Sequence, residues 1–96
     1  MRVDYDSKAD ALDIRLIQFD HYEYQDQVPD HRCTVGFANG RLADIELLNP
    51  ATHLDLLDVV AERYDLDAGA LQAAARAGLA APDRLVTLKV GVRLAA

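Results

Sequence analysis

Carboxyl groups are the first candidates for chemistry in this chain, because sixteen of its 96 residues are aspartate or glutamate. Paired carboxyls can do general acid–base work when their surroundings raise one pKa and leave the other near its usual value. Asp44 and Glu46 alternate along a strand-like run and so share a face, but a polar strand face is ordinarily just solvated. Asp4, Asp6, Lys8 and Asp10 have the alternate spacing of a calcium loop. Lys8 and Ala9 then occupy its fifth and sixth positions and Arg15 its twelfth, where an oxygen ligand, a glycine and a bidentate glutamate are needed. Asp6 and Asp10 read instead as turn residues that bond the local backbone. His31 and Cys33 would bring an imidazole and a thiol to one strand face, yet that face continues as Val35 and Phe37, so Cys33 reads as a core residue. Zinc would need His21, His31, Cys33 and His53 to converge, and their spacings include no recognised ligand pair. Ser7 is the only serine and sits in no strand-to-helix elbow. The five glycines never cluster into a phosphate-cradling loop. No catalytic residue, cofactor or metal site is expected.

The elements that would position these groups show two periods. Residues 3–5 form a β-rich run closed by a polar turn over 6–10. Leu12, Ile14 and Leu16 alternate with Asp13 and Arg15, the pattern of a half-buried strand, and this predicts that Asp13 and Arg15 face water. Alternation over 22–28 predicts another strand, ended by Pro29. Cys33, Val35 and Phe37 alternate with Thr34, Gly36 and Ala38, and Asn39-Gly40 tolerates the positive φ angles of a tight hairpin. The returning strand, 41–48, should turn Ala43, Ile45 and Leu47 inward and leave Asp44 and Glu46 in water. Beyond Asn49-Pro50 the period becomes helical, with Asn49 placed to cap and Pro50 to open a helix. Its apolar stripe is Leu54, Leu57, Val60 or Ala61, and Tyr64, opposite Asp55, Asp58, Glu62 and Asp65. Asp67 is expected to cap a second, alanine-rich helix to about residue 77, with Gly78 placed to stop it. Residues 86–94 alternate again and predict a final strand.

These elements describe a single α+β domain over 1–96. An antiparallel sheet of four to five strands carries two carboxy-terminal helices packed on one face. The final strand joins the sheet or pairs with another chain. An apolar fraction of 51% with 27% charged residues excludes a disordered or collagen-like chain. A formal charge of −6 makes nucleic acid and anionic membranes unfavourable partners. No stretch approaches about eighteen apolar residues, and the start Met1-Arg2-Val3-Asp4 is unlike a secretion signal, so a cytoplasmic location is expected. One cysteine cannot staple a secreted mini-domain. A long edge strand at 86–94 would template pairing, which points to a homodimer. The apolar skeleton over 54–77 also matches a helix-turn-helix, with only Gln72 and Arg76 available to contact DNA and an acidic chain around them.

Tyr5-Asp6, Ala9-Asp10-Ala11-Leu12 and Ile14-Arg15-Leu16, followed by Gly40-Arg41-Leu42 and Ile45-Glu46-Leu47-Leu48, resemble the small bacterial proteins grouped as domain of unknown function 2283. The resemblance covers about residues 2–51. Ser7 stands where those proteins often carry proline, and Gly36 to Asn39 replace a more acidic approach to the turn. The resemblance implies a small, mainly antiparallel sheet with no established activity, sometimes accompanied by toxin and antitoxin genes, with 52–96 as a helix-helix-strand extension. The expected function is therefore a non-catalytic interaction or regulatory module, an antitoxin-like binder of a basic protein. Asp13, Asp44, Glu46, Asp55, Asp58 and Glu62 are its candidate partner-facing residues.

Overall fold

Each alternating run of the sequence contributes a strand, and the short first run and the start of the last both join the sheet, so it has six strands where four to five were expected. The structure, a computed structural model, describes residues 1–89. β1 (Arg2–Asp6) and β2 (Ala11–Arg15) form a hairpin. Asp6 Oδ1 accepts the backbone N–H groups of Lys8 at 3.0 Å and Ala9 at 3.1 Å, the self-bonding that makes aspartate a turn residue. β3 (Tyr24–Gln27), β4 (Cys33–Ala38) and β5 (Arg41–Leu48) complete a meander. Asn39 and Gly40 take φ of 55° and 71° in its tight turn. β6 (Leu85–Thr87) pairs antiparallel with β1, giving the spatial order β3-β4-β5-β2-β1-β6. The described part of the final alternating run thus pairs within the chain, and residues 90–94 of it lie outside the described residues.

The helices depart from the sequence reading at two punctuation residues. Asn49 does not cap a helix: it adopts a left-handed φ of 48°, and its Nδ2 donates to Asp10 Oδ2 at 2.9 Å, tying the end of β5 to the β1–β2 turn. Pro50 opens a 3-10 turn, Pro50–Thr52, and α1 (Asp55–Tyr64) starts beyond it. Asp67 does cap α2 (Ala68–Ala80), accepting the Ala70 N–H at 3.1 Å. Gly78 does not stop α2 but lies inside it. A Cβ there would stand 2.8 Å from Val3 Cγ2 and 2.9 Å from Leu12 Cδ1, so glycine lets the helix backbone settle onto β1 and β2. The buried faces of α1 (Leu57, Val60) and α2 (Leu71, Ala74, Ala75) join Val3, Leu12, Ile14, Val35, Ile45 and Leu47 in one core on one side of the sheet. Cys33 belongs to the same core and is fully buried. Among the described residues no helix is long and apolar enough to cross a membrane.

Candidate functional site

The other side of the sheet has no helix, and the strand register gathers the polar residues there into two rows. Side chains directly opposite on neighbouring strands are in contact range. One row reads Asp4, Asp13, Glu46 and Thr34 across β1, β2, β5 and β4; the next reads Arg2, Arg15, Asp44 and Gly36. Asp13, Asp44 and Glu46, three of the six residues expected to face a partner, are therefore brought together. Asp55, Asp58 and Glu62 are exposed on α1, in the layer on the opposite side of the sheet. Asp58 also accepts a bond from Gln72 Nε2 at 3.2 Å.

Asp44 corrects the expectation of a wet strand face, for it is only 3% exposed. The cause is a strap, residues 17–23, that runs back over this end of the sheet. Its start is held by Leu16 and Ile17, whose N–H groups donate to the Ala43 carbonyl at 2.8 and 3.3 Å, and its end by the Glu23 N–H on the Phe37 carbonyl at 2.7 Å. Between these anchors the Tyr22 hydroxyl donates to Asp44 Oδ2 at 2.7 Å. Gly36 makes the seat: a methyl group there would fall onto both the Tyr22 ring and the Asp44 carboxyl. Phe19 packs against Tyr22 with ring centroids 5.0 Å apart, and the Arg15 guanidinium lies 4.4 Å over the Phe19 ring. Asp13 is half-buried rather than solvated.

Two adjacent carboxyls under a cover cannot both ionise cheaply. The Asp13 carboxyl is pushed up to about 8, first by burial, then by its hydrogen bond with Asp44 and the Asp44 charge; Glu46 adds to this, and Arg15 works against it. Burial and the bond to Asp44 also hold the Tyr22 hydroxyl well above the usual tyrosine range. At neutral pH Asp13 is held protonated beside the Asp44 carboxyl, and the Tyr22 hydroxyl donates to the latter. Such a group can hold and release a proton near neutrality, or accept a cation in its place. The depression beside Asp13, lined by Arg2, Val3, Asp4, Asp13, Arg15 and Leu85, has a volume of about 210 Å³, below the roughly 300–1,000 Å³ of sites that enclose a small molecule.

Two further carboxyls, Asp10 and Asp83, and the one serine have structural duties. Asp10 accepts from the Tyr5 hydroxyl at 2.7 Å and from Asn49. Asp83 holds the N–H and hydroxyl of Ser7 at 2.9 and 2.6 Å. Among the described residues no three His, Cys, Asp or Glu side chains converge to hold a metal ion. Sequence reasoning missed Tyr22, Gly36 and Asp4 as parts of the site. The one signal available was Gly36, since a glycine inside a strand pattern marks close approach of another group. No family model, curated protein or solved structure matches the chain.

Proposed function

We propose that the protein is a non-catalytic, cytoplasmic interaction module whose helix-free sheet face receives a basic segment of a partner protein, in the manner of an antitoxin. The observation that carries this reading is the unbroken row Asp4, Asp13, Glu46 on neighbouring strands. Asp4 and Glu46 flank Asp13, which burial and Asp44 keep protonated at neutral pH. Among the described residues the one ion pair is Arg32–Asp30 at 2.7 Å, so the row has no internal counter-charge within pairing distance, while Arg15 is turned onto Phe19. A lysine- or arginine-bearing segment laid along the row would pair with Asp4 and Glu46 and favour the ionised form of Asp13. The hydrated acids Asp55, Asp58 and Glu62 would then contribute mainly to the rate of encounter. The resemblance to domain of unknown function 2283, with its toxin and antitoxin neighbours, agrees with this reading.

A second reading, a homodimer, is favoured by β3, whose four residues are all exposed and whose outer edge has no partner strand among the described residues. DNA binding by 54–77 is disfavoured: α2 lays its Leu71, Ala74, Ala75 and Gly78 face on the core, and Gln72 is engaged with the Leu54 carbonyl at 2.7 Å. The test is recovery of partners from host lysate on three tagged proteins: the native chain, Asp4→Lys/Glu46→Lys, and Asp55→Lys/Asp58→Lys/Glu62→Lys. The reading expects a stoichiometric basic protein that the sheet-face variant loses and the helix variant keeps. Retention by the sheet-face variant, or recovery of nothing but a second copy of the chain, would overturn it.

A further inference from the structure

The strap over residues 17–23 has a backbone hydrogen bond at each end and one polar latch, Tyr22, beside the Glu23 end, and that latch sits on the most buried carboxyl of the acidic face. We propose that the strap is a proton-linked gate: it closes through Tyr22 on the buried Asp44 while the neighbouring Asp13 carboxyl keeps its proton, and its opening releases that proton. This rests on the acidic-face reading for its purpose, because an open gate presents Asp44 beside Asp13 to a basic segment.

The argument begins with what the closed strap covers. Tyr22 fills the space that Gly36 leaves, and its hydroxyl satisfies one oxygen of a carboxyl that is 3% exposed. Tyr22 is 44% exposed and lies outside the hydrophobic core, so its lifting uncovers no core side chain. The Tyr22 hydroxyl already donates to Asp44, so removing the proton from Asp13 adds nothing to the latch and places a negative charge beside the Asp44 carboxyl in a poorly hydrated site. Opening the strap hydrates both. The groups that face the pair from surrounding elements are Asp4 and Arg2 on β1, Arg15 on β2, Glu46 on β5 and Tyr22 on the strap; β4 offers the uncharged Thr34 and Gly36, and β6 offers Leu85. Asp20, His21 and Glu23 are exposed along the strap itself.

Linkage gives the sign and the window. The closed state binds a proton that the open, hydrated state has lost, so the open population rises with pH, by up to about tenfold per unit, between the ordinary carboxyl range and the closed-state value. Above about 8 the closed state has lost the proton too and the rise stops. A guanidinium or ammonium group seated on the pair drives opening in the same direction, with release of the proton.

The experiment is amide hydrogen exchange of the intact protein without any partner, read as protection factors for the strap's two hydrogen-bonded amides, Ile17 and Glu23, in steps from about pH 5 to about pH 9, which removes the intrinsic pH dependence of exchange. Wild type should lose protection across this range by at least tenfold and then level off. Asp13→Asn should show a flat profile at the protected level. Tyr22→Phe, which keeps the ring and removes the latch, should lower protection roughly ten- to hundredfold at the acidic end. Equal profiles for wild type and Asp13→Asn, or full protection in Tyr22→Phe, would overturn the gate. Because no partner is present, that failure would leave the acidic-face reading standing, whereas loss of the lysate result would remove that reading alone.

Discussion

Replacing Asp13 with asparagine should stabilise the protein at alkaline pH and leave it nearly unchanged at acid pH. In the unfolded chain this carboxyl titrates near its ordinary value of about 3.9; in the folded protein it is pushed up to about 8 by burial and by Asp44. Between those values the folded state carries a proton that the unfolded state has lost, so stability falls as pH rises and stops falling above the folded value. At about 1.4 kcal/mol per unit, a window of about four units would be worth roughly 5–6 kcal/mol if the group were sealed from water. Asp13 is only half-buried, and solvent screening reduces this to about 2–3 kcal/mol. Asparagine is neutral throughout and its amide can donate to Asp44 as the protonated acid does. The two proteins should therefore agree within about 1 kcal/mol near pH 5. By about pH 9 the variant should lead by about 2–3 kcal/mol. Urea unfolding of both proteins across this range measures the difference directly, and titrating groups that do not interact with Asp13 cancel in it. Parallel stability curves for the two proteins would refute the raised carboxyl and the pairing that produces it.

The other predictions concern close packing. Gly36→Ala should displace the strap and cost about 1–3 kcal/mol, because the methyl lands on Tyr22 and Asp44; unfolding midpoints together with the ring resonances of Tyr22 and Phe19 check it. Gly78→Ala should gain about 1 kcal/mol of helix propensity and lose more than that to overlap with Val3 and Leu12, so that the net unfolding free energy drops. Cys33 is fully buried, with its thiol pushed up to about 11 by burial and then by the Asp30 charge. A thiol reagent should label it only as fast as the protein unfolds, and rapid labelling of the native protein would contradict its place in the core.

Much of the fold is legible from periodicity, because strands with one buried face must alternate and Leu12, Ile14, Ile45 and Leu47 do so. The strand count is harder to read because β6 is three residues long and its pairing depends on where α2 returns the chain. Gly78 looks like a helix stop by its chemistry alone; what keeps it inside α2 is the nearness of Val3 and Leu12, a tertiary fact with no local trace. The site was half legible. Asp13, Asp44 and Glu46 follow from alternation, but their meeting requires the cross-strand register, and the burial of Asp44 requires a strap whose sequence, rich in polar residues, reads as an ordinary loop. Asp4 joins the row only because Asp6 and Asp10 set the length of the first turn.

The most direct measurement is a carbon-13 titration of the Asp13 side-chain carboxyl in the folded protein. Asp13 should titrate near 8, with the resonances of Tyr22 moving with it. A transition near the ordinary carboxyl value of about 4, with Tyr22 unmoved, would contradict the raised carboxyl and the latch built on it.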